Sequence, residues 1–205
     1  MKTIYLLYPE SGSPVSLEVI FSCRRLCSCH CKGDPMSKFK INATNLHWMD
    51  DLVNDPDDLC LHGNAVAIIG NRKLKYDECT VSATALYLLK TLTEDHVSGK
   101  DNQMLPCCGH TLIANDDLTK VVISGCPNGI DWSVIHTGDS VRLILDDGYE
   151  NNVPIAQYRE EVFRFADLIE DYYRFCPSKI IPKDKFDRNG YETFWNEWHR
   201  RRNRT

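Results

Sequence analysis

Several familiar signatures are missing from this chain. It contains no run of about 20 uninterrupted apolar residues, the length a bilayer-spanning helix needs. Proline and glycine are scarce, 9 and 11 among 205 residues, which excludes collagenous and low-complexity classes. Basic residues are not in excess. Lys and Arg number 24 against 29 Asp and Glu, a net charge of -5, and this disfavours nucleic acid as a general partner. No G-x-x-x-x-G-K-[ST] loop, G-x-G-x-x-G fingerprint or H-E-x-x-H pair occurs. Phosphate cradling, dinucleotide binding and the two-histidine protease site therefore lack sequence support.

What is present is the composition of an ordered globular protein, 42% hydrophobic and 26% charged, long enough to bury a substantial core as one domain over 1–205. Within it, a strand-and-loop region at 1–57 precedes an α+β core at 58–176. A connection and a C-terminal helix with a basic tail follow at 177–205. Met1-Lys2-Thr3 leads into the short apolar run Ile4–Tyr8 without a small-residue cleavage site. That start is read as a first strand at 2–8, followed by a β-branched run at 15–21, in a cytoplasmic protein with no membrane partner.

Periodicity then places the elements. Ala65 to Gly70 and Leu74 to Tyr76 form a hairpin reversing near Gly70-Asn71. Thr80 can cap a helix in which Val81, Ala85, Leu88 and Leu92 form one apolar stripe ending near His96. Short strands follow at 110–114, 120–125, 130–136 and 140–145, too closely spaced for parallel crossovers. Pro154 opens the strongest helix, with Ile155, Tyr158, Val162, Phe165, Ile169 and Tyr172 at intervals of three and four, and Pro177 stops it. After the charged stretch through Asp187, Tyr191, Phe194, Trp195 and Trp198 line a final short helix. The expected class is α+β: a mainly antiparallel sheet packed against two or three helices, the C-terminal one docked.

Ten cysteines are the compositional oddity. Without an export signal, reduced thiols or a metal site are better first readings than a disulfide framework. Cys23, Cys27, Cys29, His30 and Cys31 cluster tightly, but the C-x(2–4)-C knuckle of a zinc site has no second clean pair at domain distance. If extended, Cys27, Cys29 and Cys31 share one face. Cys107-Cys108-Gly109-His110 is the second cluster; adjacent cysteines on a strand point opposite ways, so packing competes with ligation or thiol chemistry. Cys60 and His62 share a parity and form a third potential ligand pair, for which zinc suits thiolate and imidazole alike. Cys79, Cys126 and Cys176 read as small buried hydrophobes. His47 with Asp50, and His199 between Glu197 and Arg200, suit local charge networks, and Trp132 reads as a core aromatic.

Two features point to a protein partner. Asp50, Asp51, Asp55, Asp57 and Asp58 gather without a compensating base, and clustered carboxylates steer basic surfaces, although a solvated loop is the plainer reading. Trp195 and Trp198 offer docking to the core or anchors at an interface. Arg200, Arg201, Arg202 and Arg204 make a basic terminus, but a short tail supplies neither shape nor base readout.

The strings Asp58-Leu59-Cys60-Leu61-His62-Gly63, Thr80-Val81-Ser82-Ala83, Leu105-Pro106-Cys107-Cys108-Gly109-His110, Asn128-Gly129-Ile130-Asp131-Trp132 and Phe194-Trp195-Asn196-Glu197-Trp198-His199 resemble small bacterial cytoplasmic proteins akin to polymorphic-toxin immunity proteins. The resemblance covers about 58–203. It implies a non-enzymatic inhibitor that binds a cognate protein toxin and blocks its active site or substrate channel; no cofactor is expected, zinc being the one exception left open. The alternative is a metal-stabilised protein or metal-dependent enzyme using a Cys/His site.

Overall fold

The computed structural model describes residues 38–49, 55–100 and 102–203, all within the unit that runs from Gly33 to Thr205. The strands expected at 2–8 and 15–21 lie outside these residues.

A strand not among those expected begins the described residues. Phe39, Ile41 and Ala43 are buried while Lys40, Asn42 and Thr44 face out, the period-two alternation of a half-buried strand, and they form β1 (Phe39–His47). It pairs antiparallel with β2 (His62–Ile69), which hairpins through Gly70-Asn71 into β3 (Arg72–Cys79). Gly70 adopts a φ of 58°, the left-handed geometry that two-residue hairpin turns need.

Two bulges interrupt this sheet at the start of β2. Asn45 and Leu46 stand against Gly63 alone, so the register resumes with His47 opposite His62. Asp77 and Glu78 likewise stand against Asn64 before Gly63 pairs with Cys79. Asn45 and Glu78 each adopt a φ of 56°, and the Asn64 side chain accepts a hydrogen bond from the Glu78 N–H at 3.2 Å. Such bulges bend a strand and re-aim its side chains. Their result is to bring His47, His62 and Glu78 to one end of the sheet.

A second antiparallel sheet runs β10–β9–β8, built from β8 (Ser133–Thr137), β9 (Ser140–Ile144) and β10 (Glu150–Pro154). Two smaller antiparallel pairs join β4 (Leu105–Pro106) to β7 (Gly129–Ile130) and β5 (Thr111–Ala114) to β6 (Val121–Ser124). Three helices complete an α+β fold of antiparallel sheets packed against helices.

Helix α1 (Val81–Lys90) is buried from Val81 to Leu89, as a helix with no polar face must be. Its periodicity predicts one apolar stripe reaching His96. The helix stops at Lys90, after which the N–H groups of Leu92 and Thr93 turn to Leu89 O and Lys90 O, and His96 exchanges backbone hydrogen bonds with Val134 of β8. Thr80 precedes α1 without capping it: its hydroxyl has no hydrogen-bond partner, although its backbone N–H donates to Pro106 O. Helix α2 (Ile155–Phe175) follows the expected periodicity and packs on β1, β9, β10 and α1.

Helix α3 (Lys185–Arg202) is longer than its aromatic stripe suggested. Asp184 caps it, accepting from the N–H groups of Phe186 and Asp187, so residues read as connection belong to its first turn. Gly190 brings α3 against β5; a Cβ there would fall within contact distance of the Leu112 carbonyl. Trp48, Trp132 and Trp198 are the largest fully buried side chains, each worth about 1.5–3 kcal/mol of burial or more.

The arginines expected in a basic tail are engaged within the fold. Arg201 is buried between Glu197 and Glu94, Arg202 makes two bonds to Asp167 at 2.6 and 2.8 Å, and Arg200 donates to Thr119 O. Arg204 lies outside the described residues.

Candidate metal centre

The segment before β2 is held by short-range bonds. The Asp55 carboxylate accepts from the N–H groups of Asp57 and Asp58 at 2.9 and 3.3 Å, an Asx-type turn. Lys179 donates to Asp55 O at 2.6 Å, and the Ile180 N–H donates to Pro56 O at 2.8 Å. These bonds fix Asp58. Its two oxygens accept from Cys60 N at 2.9 Å and Met49 N at 2.7 Å. One lone pair of Oδ2 is left to face His62, whose Nε2 lies 3.9 Å away.

His62 opens β2, and His110 stands immediately before β5, with its ring centroid 5.0 Å from that of His62. The donor atoms of Asp58, His62 and His110 all lie within 4.8 Å of one another. His62 Nε2 is buried and has no hydrogen-bond partner. Bonds of about 2.0–2.2 Å to a tetrahedral ion would set ligand atoms about 3.3–3.6 Å apart. The 3.9 Å separation therefore needs only a small closure.

Burial is the main force on His62 and pushes its pKa below the usual value. Asp58 opposes that shift, while His110 and His47 reinforce it. The result favours the neutral imidazole, the form that ligates metal. His47 sits 5.9 Å away by ring centroid, but both its nitrogens are engaged, Nδ1 with Asn45 O at 2.7 Å and Nε2 with Glu78 at 3.1 Å. It belongs to the surroundings rather than to the ligand set.

Cys60, which shares a parity with His62, points elsewhere. Residues 58–61 form no strand, so the alternation argument fails, and the buried Cys60 Sγ donates to Gly109 O at 3.5 Å. Burial, with Asp58 adding to it, pushes this thiol up to about 12.

The second sulfur group gains a member that the sequence assigned to packing. Cys126 is disulfide-bonded to Cys107, and free Cys108 completes a trio with sulfurs within 4.8 Å. Cys79 is a buried hydrophobe as expected, whereas Cys176 is half-buried.

The remaining predicted positions are dispersed. Asp57 is exposed, and Asp55 closes its own turn. Trp198 is fully buried and donates to Glu170 at 3.0 Å, while half-buried Trp195 lies edge-on to Tyr173 at 5.0 Å. Cys23, Cys27, Cys29, His30, Cys31, Asp50 and Asp51 lie outside the described residues. Asp58, expected to face a partner, instead faces His62. The signal was its placement four residues before His62, and the 58–62 bend is what makes that spacing close.

Comparison with protein-family models, curated proteins and solved structures finds no match. Among the described residues, no helix is long and apolar enough to cross a membrane.

Proposed function

We propose that this protein binds a divalent transition-metal ion between Asp58, His62 and His110, in the cytoplasm. The observation that carries the reading is the buried His62 Nε2, which lacks a hydrogen-bond partner and faces a carboxylate already oriented by two backbone donors. Backbone orientation of a ligating carboxylate is what a metal's surroundings usually supply. The two-histidine, one-carboxylate set suits zinc and also ferrous iron. Asp58, His62 and the exposed His110 would hold the ion, which would act as a Lewis acid on water or on an oxygen-bearing ligand.

This reading is preferred to toxin inhibition because three of the groups that motivated the latter are engaged within the chain, while Asp57 is exposed and Asp50 and Asp51 lie outside the described residues. Asp55 closes a turn, Asp58 faces His62, and Trp198 is buried. Elemental analysis of protein purified without added metal or chelator tests it. The expected result is one zinc or iron per chain, lost in Asp58→Ala, His62→Ala and His110→Ala and retained in Cys107→Ser. Metal far below one per chain after incubation with zinc and desalting, or stoichiometry unchanged in the three variants, would overturn it.

A further inference from the structure

The free and bonded cysteines divide by environment. Cys60 and Cys79 are buried, and burial pushes both thiols up to about 12, the condition of inert structural thiols. Cys107, Cys108 and Cys126 are only half-buried and lie together.

The backbone holds these three sulfurs together by contacts independent of the covalent bond. Leu105 and Pro106 pair with Ile130 and Gly129. The Cys107 N–H donates to Asn128 O at 3.1 Å, and the Thr80 N–H donates to Pro106 O at 3.1 Å. Gly125 runs so close to the Cys108 backbone that a Cβ would fall within contact distance of the Cys108 carbonyl. The next residue's N–H, that of Cys126, donates to Cys108 Sγ at 3.0 Å. Breaking the disulfide therefore leaves its partners facing each other, with a third sulfur beside them.

We propose that Cys107, Cys108 and Cys126 form a redox-responsive three-sulfur site in which Cys126 exchanges its disulfide partner between Cys107 and Cys108. The reactant class is small thiols and disulfides of the glutathione type. In the exchange step, the Cys108 thiolate attacks Cys126 Sγ. The Cys108–Cys126 bond forms, the Cys107–Cys126 bond breaks, and Cys107 leaves as thiolate with no net oxidation. In the redox step, two protein thiols lose two electrons and two protons to glutathione disulfide. One protein disulfide and two glutathione thiols result. Accessible disulfides are the labile and regulatory ones, and those of the cytosol are chiefly transient and redox-sensing.

The test is to equilibrate the full-length protein, with EDTA present, over a series of glutathione to glutathione-disulfide ratios. Acid quenching, alkylation and peptide mapping by mass spectrometry then report connectivity. Wild type is expected to lose and regain the Cys126 disulfide reversibly across the series, with alkylation of its oxidised form divided between Cys107 and Cys108. Cys107→Ser should form Cys108–Cys126, Cys108→Ser should form Cys107–Cys126, and Cys126→Ser should form neither. A Cys107→Ser protein of native circular dichroism that leaves Cys126 unpaired with Cys108 would overturn the exchange. So would alkylation of Cys108 alone in oxidised wild type, a measurement that needs no variant. A Cys126 bond that no ratio reduces would overturn the redox role.

Discussion

Glu197 provides the sharpest test of how the last helix is held. Its side chain is 0% exposed and that of Arg201 is 3% exposed, with Arg201 Nε donating to Glu197 at 2.8 Å. Its other carboxylate oxygen accepts from the Val121 N–H at 2.8 Å, and Lys90 Nζ lies 3.5 Å away. One carboxylate therefore ties α3 to α1 and β6. Glu197→Ala removes the principal buried partner of Arg201, leaving it Glu94 on the half-exposed side, and orphans the Val121 N–H. Breaking a buried pair costs about 3–5 kcal/mol, and an orphaned amide about 1–3 kcal/mol. Because the alanine also relieves the cost of burying a carboxylate, the net destabilisation is expected at about 3–5 kcal/mol. For a domain of this size that is a fall of roughly 6–20 °C in Tm. Urea unfolding followed by circular dichroism measures it, and the Glu197→Ala/Arg201→Ala double variant should cost less than the sum of the singles by at least about 1 kcal/mol. A single-variant loss below about 1 kcal/mol, or additivity, would refute the assignment of Glu197 as the tie.

Three further outcomes follow from particular contacts. In metal-free protein, burial lowers the His62 pKa, so the unfolded chain takes up its proton first and folding stability falls as pH drops below about 6.5. That loss levels off once pH is below the folded-state value, and His62→Gln should flatten the slope in urea midpoints compared between about pH 7.5 and about pH 5.5. An unchanged slope in the variant would contradict the burial argument. Gly190→Ala sets a methyl against the Leu112 carbonyl, and the overpacking cost of about 1–3 kcal/mol should exceed the helix-propensity gain of about 1 kcal/mol; a raised Tm would show that α3 shifts freely over β5. Asp184→Ala removes the cap on Phe186 and Asp187 and should cost about 0.5–2 kcal/mol, read by the same urea titration.

Legibility followed the range of the interaction. Helix α2 was readable from Ile155 onward because 3.6-residue periodicity is local, although Pro154, expected in its first turn, ends β10 instead, and the Gly70-Asn71 reversal was readable because its turn needs a left-handed residue. Strand β1 carries an equally plain alternation at Phe39, Ile41 and Ala43, close behind the thiol-rich stretch that precedes it. The site was less accessible. His62 was singled out for its parity with Cys60, but parity holds only within a strand, and the chain bends before His62. The approach of His110 from before β5 and the re-aiming of His47 by a bulge are nonlocal facts. The Cys107–Cys126 bond spans 19 residues and depends on the pairing of β4 with β7, two strands too short to carry a periodic signal.

The stretch Cys107-Cys108-Gly109-His110 contributes residues to both proposed sites, yet its fold separates them. Between the sulfurs and His110 lies Gly109, whose carbonyl accepts from Cys60 Sγ at 3.5 Å. A Cβ on Gly109 would meet Ile123 at 3.0 Å and Ala83 at 3.4 Å. This residue is thus clamped between α1 and β6, and β5 begins directly after His110 and pairs with β6 through Thr111 and Ser124. His110 is positioned by that clamp and that ladder, neither of which uses the disulfide. Reducing the Cys107–Cys126 bond should therefore leave the metal stoichiometry of the Asp58–His62–His110 site unchanged, and Gly109→Val should lower it by displacing His110 while all three sulfurs remain. Metal analysis of reduced wild type, oxidised wild type and the Gly109 variant checks this. Metal lost on reduction alone would mean that the disulfide, rather than the clamp at Gly109, positions the third ligand.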